Sequence, residues 1–79
     1  MPELRPHLVE WYDACDAYPA WTSQRESGGP VLVRSVGLIV EFTDDHVTLA
    51  TSESEDGDVS GGVVIPRGCV RRVMELGLA

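Results

Sequence analysis

Hydrophobic and polar positions alternate over short runs along most of the chain, and turn-forming residues separate the runs. Alternation with a period of two residues is typical of β-strands that bury one face. Five runs predict five strands, at residues 8–12, 31–43, 47–51, 61–66 and 70–76. The chain is therefore predicted to be all-β.

The second predicted strand is the longest, and Gly37 lies in its middle. A glycine inside a strand is typical of a bulge or a sharp bend, which is how a small barrel turns a corner. One face of this strand is predicted to be the core face: it consists of Leu32, Val36, Leu38, Val40 and Phe42. The opposite face would then place Val31, Val33 and Ile39 outside, against a second subunit.

Short connections join the later strands. Residues 44–46 are two aspartates and a histidine, which form a tight turn, and residues 67–69 form a compact corner. Strands joined in this way predict a small, strongly bent, five-stranded barrel.

Three segments fall outside the alternating pattern. Residues 1–7 contain two prolines and are predicted to be extended, residues 13–30 form a long irregular loop, and residues 52–60 form an acidic loop. Trp11, Tyr18 and Trp21 are predicted to anchor the long loop, either as an apolar plug at one barrel end or as a wall for a planar ligand.

With 79 residues the chain is one domain, residues 1–79, and a core of this size is marginal on its own. Cys15 and Cys69 are interpreted as two reduced thiols, with a single disulfide between them as the alternative. His7 and His46 lack metal-ligand spacing. No metal or cofactor is therefore expected. Self-association is the remaining means of stabilisation, so we expect a homo-oligomer.

The net charge of −7 is unevenly distributed, because Arg67, Arg71 and Arg72 are three of only six basic residues. Nucleic-acid binders neutralise many phosphates, so this charge argues against a polynucleotide partner. A small anionic ligand needs only a few arginines in one pocket and remains compatible with the sequence.

Neither a signal peptide nor a membrane span is expected. The first six residues lack an apolar core segment, and the longest apolar run, residues 38–40, is far shorter than a bilayer requires. We expect a cytoplasmic protein.

The strand plan resembles that of SH3-like and Sm-like barrels, and residues 37–49 resemble the bent hairpin of Sm-like proteins. Four features also resemble small uncharacterised accessory proteins of tailed phages and prophages. They are the segment Val9-Glu10-Trp11-Tyr12-Asp13, Trp21, residues 35–45, and the corner Ile65-Pro66-Arg67-Gly68-Cys69. The resemblance implies a phage-encoded, barrel-shaped accessory protein in the host cytoplasm, and by analogy an anti-defence role.

The sequence shows no nucleophile–base pair, phosphate loop or metal cluster, which indicates a binding protein and no enzyme. Two hypotheses stay open. In the first, the protein binds a host protein through the acidic loop, with Glu53, Glu55, Asp56 and Asp58 as the contact residues. In the second, an oligomer sequesters a small nucleotide-type ligand in a pocket made of Trp11, Trp21, Arg67, Arg71 and Arg72. The arginines could instead pair with neighbouring acids such as Glu75 and Glu41.

Overall fold

The computed structural model describes residues 3–14, 20–23 and 28–77, and these form an all-β structure. The strands are β1 (Pro6–Asp13), β2 (Val31–Phe42), β3 (His46–Ala50), β4 (Ser52–Glu53), β5 (Val59–Ser60), β6 (Val63–Pro66) and β7 (Val70–Glu75). A 3₁₀ turn, Arg67–Cys69, joins β6 to β7 where the compact corner was predicted. The all-β prediction and its five main strands are confirmed.

The five main strands form one antiparallel sheet in the order β6-β3-β2-β1-β7. β6 and β7 are its two edges, and within the described residues they do not pair with each other. The sheet is therefore open, and the predicted closed barrel is not formed. The 3₁₀ turn is tied to the β2–β3 connection, because the Arg67 amide donates to the Asp45 carbonyl at 2.9 Å, and β7 then crosses to pair with β1.

The predicted face assignment of β2 is wrong. Val9, which is fully buried, pairs with Ser35, so the odd-numbered positions of the first part of β2 lie on the core side. Ile39 accordingly packs against the core, whereas Val36 is 60% exposed. Because Ile39 is not on the outside, it cannot support a contact with a second subunit, and the homo-oligomer stays a prediction.

The bulge in β2 lies three residues beyond the predicted position. Ile39 pairs with Leu49 and Glu41 with Thr48, which leaves Val40 as the extra residue. Gly37 has a different role: a β-carbon there would lie 2.7 Å from the Ala50 carbonyl oxygen. Glycine at this position therefore allows β2 and β3 to approach each other closely.

The core is small and lies on one side of the sheet. Val9, Leu49 and Ile65 form its centre, and the half-buried side chains packed against it are Trp11, Ile39, Val63, Cys69, Val70 and Val73. Cys69 is a free thiol. The Trp11 indole donates from Nε1 to Ser35 Oγ at 3.0 Å, so its polar atom is satisfied on the core side.

The acidic loop is a small hairpin built from β4 and β5. Ser54 and Asp58 close its turn through a 2.8 Å hydrogen bond from the Ser54 amide to the Asp58 carbonyl, and Gly57 adopts a positive φ of 90°.

In the predicted long loop, residues 15–19 and 24–27 lie outside the described residues, and so do the expectations for Cys15 and Tyr18. None of the described segments is a helix long and apolar enough to cross a bilayer.

Candidate anion-binding site

Glu10 is a buried acid in the middle of β1. It is only 4% exposed, and it is the one buried charged residue in the described part of the chain. Successive side chains of a strand alternate between faces, so Glu10 lies on the side opposite Val9 and Trp11. Removing a carboxylate from water is costly unless charged or hydrogen-bonding partners replace the lost hydration.

Three arginines supply these partners. Arg72 Nη2 donates to Glu10 Oε1 at 2.6 Å, and Arg71 Nη1 donates to Glu10 Oε2 at 3.2 Å. Arg34 is the looser partner, with its Nε 3.9 Å from Glu10 Oε1. Both carboxylate oxygens therefore have a guanidinium donor. We call these four residues, Glu10 with Arg34, Arg71 and Arg72, the arginine cluster.

Strand register explains why these residues meet. Glu10 pairs with Arg34 on β2 and with Arg72 on β7, so the three form one row across the sheet. Strict alternation would turn Arg71 to the opposite face. The register shifts here, since Trp11 pairs with Val70 and Arg71 is left as the extra residue of a bulge. A bulge breaks the alternation of faces, and Arg71 joins Arg72 on the side of Glu10.

The arginine cluster has a local excess of two positive charges, because three guanidinium groups face one carboxylate. The arginine side chains are 54–64% exposed, whereas the Glu10 side chain is 5% exposed. The four side chains line an open depression of about 320 Å³. Each guanidinium has more N–H donors than its contact with Glu10 uses. The arrangement is thus suited to an anion that approaches from solvent.

Of the residues predicted for a ligand pocket, Arg71 and Arg72 come together, and Arg67 lies elsewhere. Its guanidinium lies over the Phe42 ring, 4.3 Å from the centroid, and Nη1 donates to the Thr43 carbonyl at 2.8 Å. Arg67 therefore stabilises the β2–β3 turn through a cation–π contact and a hydrogen bond.

The two tryptophans predicted for the pocket are also outside the arginine cluster. Trp11 follows Glu10 on β1, so it lies on the opposite face of the sheet and packs into the core. Trp21 lies in the loop between β1 and β2 and is fully exposed. The structure places neither indole beside the arginines.

Neither acid expected to neutralise the arginines does so. Glu75 accepts a 2.9 Å hydrogen bond from Arg5, which, with the charge of Arg5, lowers the pKa of Glu75. Glu41 lies 3.0 Å from His46 Nε2. The acid that pairs with Arg71 and Arg72 is Glu10. The sequence prediction included neither Glu10 nor Arg34. Glu10 could have been recognised, because it is an acid inside the otherwise apolar run of residues 8–12.

The acidic hairpin (residues 52–60) presents a second charged surface. Glu53, Glu55, Asp56 and Asp58 are all exposed. Glu53 and Asp58 help to line a shallow depression of about 270 Å³. No basic side chain in the described ranges forms an ion pair with any of these four acids. Their charge is therefore available to an external partner.

Comparison with protein-family models, curated proteins and solved structures found no match to this chain. The resemblance to phage accessory proteins therefore stays a hypothesis. Across the described residues, no group of three or more histidine, cysteine, aspartate or glutamate side chains is placed to hold a metal ion.

Proposed function

We propose that this protein acts by binding and that the arginine cluster is its site for a small phosphate-bearing ligand. The observation that supports this proposal is the pairing of three exposed guanidinium groups with one buried carboxylate, beside an open depression. Glu10 restrains Arg71 and Arg72 before the ligand arrives. Groups held in position lose less conformational entropy on binding, which raises affinity.

A phosphate matches the site in charge and in geometry. A phosphate monoester carries a charge of about −1.5 to −2 at neutral pH, which balances the excess of two positive charges. Guanidinium groups form bidentate hydrogen bonds with phosphate oxygens. A small ligand can use this local field although the whole chain has a net charge of −7, which would repel an extended polyanion.

The first test is a titration of the folded protein with inorganic phosphate, in which NMR records the amide chemical shifts at each phosphate concentration. We expect the shifts to move most at Glu10, Arg34, Arg71 and Arg72. Arg34→Gln should weaken binding by roughly 3- to 10-fold, because one charge of the cluster is lost. Arg34 is the right position for this variant, since its 3.9 Å contact contributes least to holding Glu10.

Arg5→Gln is the matched control, because it removes the same charge from an equally exposed arginine that pairs with Glu75. Phosphate affinity should change little in this variant. Binding should also weaken as ionic strength rises, since added salt screens the exposed guanidinium groups. Equal losses in Arg34→Gln and Arg5→Gln, or shifts centred elsewhere, would refute the site.

A second candidate function follows from the acidic hairpin. The hairpin carries four exposed acids, and no basic side chain of the described residues forms an ion pair with them. Such a surface fits a protein partner with a basic surface. The partner proposed is a host protein, and the setting proposed is that of a phage-encoded, anti-defence accessory protein. This setting depends on the resemblance described above.

Neutralising the hairpin tests the second candidate. The variant carries Glu53→Gln, Glu55→Gln, Asp56→Asn and Asp58→Asn. In affinity purification from host lysate, we expect a host protein to co-purify with the wild type and not with this variant. The control makes the same change in net charge with Glu3→Gln, Asp13→Asn, Asp44→Asn and Asp45→Asn. Both sets are exposed, so stability should change by less than about 0.5 kcal/mol per position. Equal retention by the two variants would remove the hairpin from the interaction.

A further inference from the structure

An exposed tyrosine lies on the same face of β1 as the arginine cluster. Tyr12 comes two residues after Glu10, so both side chains lie on one side of the sheet. Tyr12 is 42% exposed, so one face of its ring is open to solvent. Its cross-strand partner is the half-buried Leu32, which provides an apolar neighbour for one side of the ring.

Register places Tyr12 directly beside the charged row. The pair Tyr12–Leu32 is the next pair on this face after Glu10–Arg34. Two residues along a strand correspond to a separation of roughly 7 Å. An aromatic group and a phosphate joined by a linker the size of one sugar ring can therefore contact Tyr12 and the arginine cluster at the same time.

We propose that the ligand is a nucleoside monophosphate or a closely similar aromatic phosphate monoester. This inference depends on the function proposed above and names its ligand class. The phosphate contacts Arg34, Arg71 and Arg72, and the base stacks on the Tyr12 ring. Trp11 cannot take this role, because it lies on the core side of β1.

Stacking on a tyrosine does not depend on the identity of the base, because every base has a π-face. The side chain directly opposite Tyr12 on β2 is Leu32, which has no hydrogen-bonding group that could select one base. Purine and pyrimidine monophosphates should therefore all bind, with purines tighter because their rings are larger.

Three probes separate the parts of the ligand: adenosine monophosphate, ribose 5-phosphate and adenosine. We expect adenosine monophosphate to bind about 5- to 150-fold more tightly than ribose 5-phosphate, which is the usual contribution of one stacked base. Adenosine alone should bind most weakly. Isothermal titration calorimetry at low salt measures all three affinities.

Variants then assign the base contact. Tyr12→Ala should reduce the affinity for adenosine monophosphate to that for ribose 5-phosphate, and Tyr12→Phe should retain the difference because the ring is kept. Trp21→Ala is the control, since it removes a fully exposed aromatic side chain elsewhere. If Tyr12→Ala fails to fold, nuclear Overhauser contacts between adenine protons and the Tyr12 ring of the wild type decide the question.

The outcomes distinguish the two proposals. If ribose 5-phosphate and inorganic phosphate both fail to bind, the arginine cluster is not a phosphate site and the proposed function fails. If they bind and adenosine monophosphate binds no tighter, only the assignment of Tyr12 is overturned. A preference for the base that survives Tyr12→Ala, or that is lost in Trp21→Ala, also overturns that assignment.

Discussion

Gly62→Ala is expected to lower the free energy of unfolding by about 3 kcal/mol or more. Gly62 has a φ of +96°, a conformation that side chains with a β-carbon rarely adopt. A β-carbon at this position would also overlap the carbonyl oxygen of Leu49, a core residue of β3. The φ angle of Gly62 and the Leu49 carbonyl oxygen both belong to the backbone, so no change of side-chain rotamer relieves the strain or the overlap. Strain and displacement of β3 therefore add together.

Urea unfolding followed by circular dichroism measures this effect. A domain of 79 residues has a total stability on the order of 4 to 12 kcal/mol, so a loss of about 3 kcal/mol removes a large share of it and should lower the urea midpoint clearly. Gly68→Ala is the matched control, since an added β-carbon there meets no atom within 4 Å and Gly68 has no positive φ. It should change stability by less than about 1 kcal/mol. Similar losses in both variants would contradict the close approach at Gly62.

Glu10→Gln should lower the free energy of unfolding by about 2 to 3 kcal/mol. Glutamine keeps the shape of the side chain but removes the charge that holds Arg34, Arg71 and Arg72 close together. The three guanidinium groups would then repel one another and their hydrogen bonds would weaken. The loss stays below that of a completely buried ion pair because the arginines are more than half exposed and can hydrate.

Glu41→Gln is the control for Glu10→Gln, because Glu41 pairs with His46 at the surface. Its substitution should change stability by less than about 0.5 kcal/mol. Substitutions of the arginines should follow their distances to Glu10, so that Arg72→Gln destabilises more than Arg34→Gln. A Glu10→Gln variant as stable as Glu41→Gln would show that the cluster does not contribute to folding.

Only the Glu10 variant tests the link between stability and the proposed site. The buried carboxylate both pairs with the arginines and restrains them, so its loss should lower stability and loosen the ligand-binding geometry together. Arg34→Gln, by contrast, should weaken phosphate binding with little loss of stability, because its contact with Glu10 is the longest at 3.9 Å.

The strands and turns of this protein could be predicted from the sequence alone, because local patterns encode them. The last strand was expected at residues 70–76 and is Val70–Glu75, and the predicted corner is the 3₁₀ turn Arg67–Cys69. Alternating side chains, turn residues and a proline before the corner act over a few neighbouring positions. The acidic hairpin was found for the same reason.

The faces of β2 could not be predicted, since both sides of that strand are apolar. Val36 and Ile39 have similar hydrophobicity, yet one is exposed and the other packs in the core. A shift of one residue in register exchanges the two faces of a strand. The register depends on pairing with β1 and β3, which are distant in sequence.

The arginine cluster was visible only in part. The grouping of Arg71 and Arg72 could be read from the chain, but their partner Glu10 and the third arginine, Arg34, are brought in by cross-strand pairing. The bulge that turns Arg71 to the side of Arg72 arises from the same pairing. Local sequence thus determined which segments are strands. Long-range hydrogen bonding between β2, β1 and β7 decided which side chains meet, because residues that are neighbours in a sheet need not be neighbours in the chain.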